Sequence, residues 1–128
     1  MDEIRIQSFL SAYKTFNELI NGSRPKDSVL RDASIQRFEY TVDTCWKALK
    51  VILLEKYGIE VSSPKETMRA AFKENIINND PLWLQMIDDR NATSHIYNEN
   101  LAEKIFSHFY HYDKLFAELV NKISSYGK

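Results

Sequence analysis

Cysteine, glycine, proline and long apolar runs are all scarce in this chain. Its one cysteine, Cys45, rules out an intrachain disulfide. Glycine and proline number three each in 128 residues, too few for the turns of a β-rich fold this size. The longest aliphatic run, Val51–Leu54, is far too short to cross a bilayer, so no membrane partner is expected. Acidic residues Asp2 and Glu3 stand at the start in place of an apolar signal segment, which makes a reducing cytoplasm the expected compartment. A net charge of −1 leaves no basic field over the whole surface. DNA is therefore not an expected partner, and any RNA contact needs a local patch or one assembled between subunits.

Hydrophobic residues make up 44% and aromatics 12%, which is ample for a packed core in a single domain over residues 1–128. Leu, Ile, Lys, Glu and Ala are abundant and favour helices. The spacing of Ile6, Phe9, Tyr13, Phe16 and Ile20 predicts a first helix from about Asp2, with Asn21-Gly22 as its stop. Ile35, Phe38, Val42, Cys45, Leu49 and Ile52 form the stripe of a long second helix, about Ser28 to Tyr57, ended by Gly58. Ser63, Pro64 and Glu66 read as cap, first helical residue and capping box of a third helix. Its face is Met68, Phe72 and Ile76, and Asn78-Asn79 ends it. A fourth carries Leu82, Trp83, Met86 and Ile87, and a last one runs unbroken from about Glu99 to Ser124. The expected architecture is all-α, a four- to five-helix up-and-down antiparallel bundle.

Polar chemistry concentrates in Asp88-Asp89-Arg90-Asn91-Ala92-Thr93-Ser94-His95-Ile96-Tyr97-Asn98-Glu99. An arginine is a permanent fork of donors for phosphate oxygens. A histidine exchanges protons near neutral pH. Arg90 and His95 could thus activate a ribose 2′-hydroxyl and hold the phosphorane that forms, with neither metal nor cofactor. Five residues apart, they would point about 140° away from each other on an ideal helix. Either the helix breaks near Ser94, or the arginine swings round, or the two act from opposite subunits. Asn91 shares a helical face with His95 and could orient it. Glu39 and Asp43 share a face of the long helix. They could orient His95 or Arg90, or pair with Lys47 instead.

Other candidates have plainer roles. His108 and His111 have no third ligand at a recognisable interval, so no metal site is expected. Phe109, Tyr110 and Tyr112 suit a core or dimer interface better than a base-stacking platform. Arg24, Lys26, Arg31 and Arg37 would form either a basic rim for RNA or an ordinary solvated surface.

Arg90-x4-His95 resembles the signature of HEPN domains: an arginine, usually a polar residue next (here Asn91), and a histidine after four to six positions. The extension to Tyr97 resembles the HepT branch. Ile35–Tyr40 and Trp46–Lys50 are similar to the long helix of nucleotidyltransferase substrate-binding subunits, the older name of that group. The resemblance implies a helical bundle that forms a homodimer with two Arg–His motifs in one cleft, and a metal-independent endoribonuclease. It further implies a toxin of a type VII-like toxin–antitoxin pair. Its partner would be MntA, a minimal nucleotidyltransferase antitoxin that transfers AMP to the motif tyrosine, here Tyr97. Gly22-Ser23 has no paired aspartates downstream, so the chain resembles the partner and not the transferase. The alternative is a non-catalytic subunit that presents a substrate to the transferase.

Overall fold

The structure, a computed structural model, describes residues 3–78, 80–95 and 98–126. Six helices make up its regular structure: α1 (Glu3–Ile20), α2 (Ser28–Tyr57), α3 (Pro64–Lys73), α4 (Asp80–Thr93), α5 (Glu99–Ser107) and α6 (Phe109–Ser124). The all-α expectation holds. The expectations placed on Asp2, Asn79 and Tyr97 fall outside the described residues.

α2 is the spine. Its 30 residues give a rod of about 45 Å. Asp27 caps its start, the carboxylate accepting from Leu30 N at 3.0 Å. Gly58 ends it at φ 68°, a left-handed conformation that costs glycine little. α1 packs antiparallel against α2: Phe16 meets Phe38 at 6.2 Å between ring centroids, and Thr41 Oγ1 lies 3.2 Å from the Ala12 carbonyl. The turn after α1 is tight at Gly22, where a Cβ would lie 3.0 Å from the Glu18 carbonyl oxygen.

The core is the stripe read from the sequence. Phe9, Phe16, Phe38, Cys45, Leu49, Ile52, Trp83, Phe109, Tyr112 and Phe116 are essentially inaccessible. Each such large side chain adds about 1.5–3 kcal/mol on burial. Phe38 joins the layers, with its centroid 4.6 Å from Phe109 and 5.6 Å from Tyr112.

Two expectations need correcting. The third helix stops at Lys73, ahead of Asn78-Asn79. Asn75 turns the chain at φ 60° and Ile76 N closes onto the Ala71 carbonyl at 2.9 Å. Phe72, still within α3, is half exposed, and the buried face is Thr67, Met68 and Ala71 instead. The last helix is broken at His108, whose N–H donates to Ile105 three residues back at 3.0 Å. The cause is tertiary: the His108 ring is held by Asp89 of α4.

No helix among the described residues is long and apolar enough to cross a membrane.

Candidate functional site

Arg90 lies in the last turn of α4, where the helix dipole favours a cation. Trp83, Met86 and Ile87 anchor α4 in the core, and that anchoring aims Arg90 at α2. Its Nε donates to Asp43 Oδ1 at 3.0 Å and its Nη2 to Asp43 Oδ2 at 2.9 Å, a two-pronged fork. Nη1 donates to Glu39 Oε2 at 3.2 Å. The hydrogen bonds to Asp43, and the charge of Glu39 behind them, push the guanidinium pKa further up. Glu39 and Asp43 thus serve Arg90 and not His95, and their pairing with Lys47 is not formed. Thr93 belongs to the same cluster: its hydroxyl lies 2.7 Å from Glu39 Oε2. In the sequence it was one unremarked position inside the Arg90-x4-His95 motif.

α4 ends at Thr93, and His95 N donates to the Ala92 carbonyl at 3.0 Å in a tightened last turn. The helix therefore ends near Ser94, between Arg90 and His95, while the other two ways of reconciling them, a swung arginine and a site shared between subunits, stay open. The His95 ring is exposed and unpaired among the described residues. Asn91 is exposed too, and its backbone carbonyl accepts from Ser94 Oγ at 2.9 Å. The expected Asn91 to His95 orientation is therefore not made in this structure. Among the described residues, no cluster of three or more His, Cys, Asp or Glu could hold a metal.

Beyond the turn, Asn98 caps α5 by accepting from Leu101 N at 2.9 Å. Arg31 of α2 reaches this helix start from below. Its Nη1 lies 2.6 Å from Glu99 Oε2 and 2.9 Å from Glu103 Oε1. Its Nε lies 2.9 Å from Asp32 Oδ1. At 4% exposure Arg31 is buried, so it is not part of a solvated or RNA-facing rim. The signal was present in the spacing: the alternating steps of the apolar row, run back from Ile35, land on Arg31, and only its charge argued for the surface. A cleft of about 400 Å³ opens between the two arginine clusters, lined by Ile35, Thr93, Asn98 and Ala102 among others.

The other side of α4 carries a second polar ladder. Asp89 Oδ2 lies 2.7 Å from His108 Nδ1 and accepts from the Tyr112 hydroxyl, which in turn accepts from Gln85 Nε2 at 3.0 Å. Gln85 and Asp89 are one turn apart on α4, and His108 and Tyr112 one turn apart across the α5–α6 break. Burial and then the Asp89 carboxylate push the Tyr112 phenol well up, so it stays a hydrogen-bond donor. His108 thus lines the bundle, with its Nδ1 engaged by Asp89.

The all-helical fold and the Arg90–His95 motif are those expected of the family that the sequence resembled. The chain belongs to the family described as nucleotidyltransferase substrate binding protein like, whose model matches residues 4–125. A solved structure from Thermus thermophilus is 40% identical, covers 89% of this chain and 97% of its own, and superposes with a TM-score of 0.83. A Haemophilus influenzae protein with the fold of a substrate binding domain of a nucleotidyltransferase is 20% identical, with 95% and 98% covered and a TM-score of 0.75. A tri-AMPylated HEPN toxin from Shewanella oneidensis, solved in complex with MNT antitoxin, is 17% identical, with 98% and 99% covered and a TM-score of 0.77. The last two likenesses show the fold. No curated protein matches at a significant level.

Proposed function

We propose that this chain is a HEPN ribonuclease toxin that cuts RNA without a metal, using Arg90 and His95. The observation that carries the reading is the Arg90 fork. Two carboxylates of α2 hold the guanidinium at the edge of the turn that bears His95. A permanent cation beside an exposed imidazole is the minimum a ribose-driven cleavage needs. His95 takes the proton of the 2′-hydroxyl, and the 2′ oxygen attacks the adjacent phosphorus. Arg90 steadies the charge on the non-bridging oxygens. The bond to the 5′ oxygen breaks, that oxygen takes up a proton, and a 2′,3′-cyclic phosphate remains.

The fork has a consequence for assembly. Glu39 and Asp43 outnumber Arg90, so one protomer offers phosphate no net positive charge. A homodimer that sets two motifs in one cleft would double the guanidinium and imidazole groups facing one RNA strand. Regulation is proposed at Tyr97, with a minimal nucleotidyltransferase transferring AMP from ATP to the phenol oxygen and releasing pyrophosphate. The added phosphate would repel RNA two residues from His95. The Shewanella toxin of the same fold, AMPylated and bound to its antitoxin, supports this reading.

The test is cleavage of RNA in excess chelator by the purified chain, by Arg90→Ala and by His95→Ala. The parent should yield cyclic-phosphate ends and both variants should lose at least about a hundredfold in rate. Equal cleavage by all three would remove the assignment. The second reading, a non-catalytic subunit that presents a substrate to the transferase, has the family's own description in its favour. It predicts no cleavage by the parent and no growth arrest when the chain is expressed alone. Intact mass after co-expression with the neighbouring transferase gene then tests Tyr97, with an AMP adduct expected that Tyr97→Phe lacks.

A further inference from the structure

The end of α4 before His95 and the start of α5 after it are both tied to one face of α2, and the two ties have opposite polarity. Arg31, Ile35, Glu39 and Asp43 follow one another at four-residue steps along α2. At the upper end of that row, Glu39 and Asp43 accept the cation of α4, Arg90. At the lower end, the cation of α2, Arg31, takes the carboxylates of α5, Glu99 and Glu103. Ile35 lines the cleft between them. The chain between the two ties includes His95, four residues before Glu99 and five after Arg90.

We infer that Arg31 is a positioning residue for the site proposed above: it fixes where α5 begins and so sets the place of the His95 turn relative to the Arg90 guanidinium. The inference rests on the proposed ribonuclease reading. It stands on geometry first. Arg31 is 4% exposed, while the side chains it holds, Glu99 and Glu103, are 76% and 60% exposed. Asp32 of its own helix holds only Nε, so drift of α5 from α2 would strip the Nη1 and Nη2 groups of both carboxylates that cover them. Solvent could satisfy the carboxylates unaided; the constraint comes from the arginine. The hydrogen bonds to Glu99, Asp32 and Glu103 push the Arg31 pKa further up, so it remains a cation at any working pH. Arg31 touches neither Arg90 nor the His95 ring, and its effect reaches them through the position of Glu99.

The experiment is steady-state cleavage of an RNA oligonucleotide by the full chain, by Arg31→Met and by Glu99→Ala, with His95→Ala as the reference and circular dichroism as the check on folding. Arg31→Met keeps a long side chain in the buried position and removes the fork. Displacement of the histidine relative to its phosphate clamp should lower kcat by about ten- to a hundredfold and leave KM within about threefold. Glu99→Ala should move kcat in the same direction, and the double variant should lose no more than the worse single one, because both cut the same tie. Glu99 is exposed, so Glu99→Ala carries the test if Arg31→Met does not fold. Variants that keep kcat within about twofold while His95→Ala is inactive would overturn the assignment of Arg31 and leave the proposed function standing. A loss that only tracks the folded fraction would also overturn it. If His95→Ala cleaves like the parent, the ribonuclease reading fails first, and the role of Arg31 falls with it.

Discussion

Replacing Asp43 by alanine separates what holds Arg90 from what Arg90 does. The change removes both prongs of the fork, at 3.0 and 2.9 Å, and leaves Glu39 at 3.2 Å as the remaining tether. A buried charge-assisted hydrogen bond contributes about 1.5–3 kcal/mol. Here the Arg90 side chain is 25% exposed and that of Asp43 41%, so solvent screens the pair. With Glu39 still in place, the expected stability loss is about 1 kcal/mol, or roughly 4 °C in Tm. A domain with about 5–15 kcal/mol to spare stays folded after that loss, so unfolding cannot explain a change in rate at 25 °C. Two effects on RNA remain. A carboxylate and a phosphate sharing one guanidinium lie about 6 Å apart. At the dielectric of water their repulsion is about 0.7 kcal/mol, so its removal should lower KM about threefold at low salt. Loss of aim should lower kcat about tenfold. The assay is steady-state cleavage at two ionic strengths beside thermal melting. An unchanged kcat with a lower KM would mean that Asp43 competes with phosphate but does not aim the arginine, and the argument from the fork would be refuted.

Three further outcomes follow from the same geometry. Tyr112→Phe deletes the hydroxyl that joins Gln85 to Asp89, and urea denaturation should show a loss of about 1–2 kcal/mol; no loss would mean that the ladder does not hold α4 against α6. Hydrogen bonding to Arg31 lowers the Glu99 pKa. The stability this adds is complete above the unfolded carboxylate value of about 4.3 and is lost as pH falls through the lower folded value. The fall in Tm below about pH 4.3 should therefore be shallower in Glu99→Ala, and parallel curves would count against the pairing. Cys45 is wholly buried and burial pushes its thiol well up, so a disulfide reagent should modify it only as fast as the chain unfolds; rapid reaction of the native chain would contradict the packing of α2.

The apolar rows of α1, α2 and α4 were legible because burial on one face of a helix leaves a mark every three or four residues. Phe16, Phe38 and Trp83 therefore lie where their spacing put them. The end signals at Ser63 and Gly58 were equally local, since each satisfies backbone groups only a few residues away. Arg90 and His95 were legible as a motif, and helical geometry alone showed that a continuous helix would not point them the same way, leaving a helix break as one of three solutions.

Side-chain partners across helices left no such mark. The sequence offered Glu39 and Asp43 to His95, Arg90 or Lys47 alike, and α4 packing against α2 decided for Arg90. Arg31 looked like surface until α5 folded over it and supplied the two carboxylates that make its burial tolerable. The last helix read as continuous until Asp89, from another helix, took hold of His108. The physical reason is common to all three. Periodicity records which side of a helix faces inward. The choice of partner for a buried charge depends on distances between elements that only packing sets.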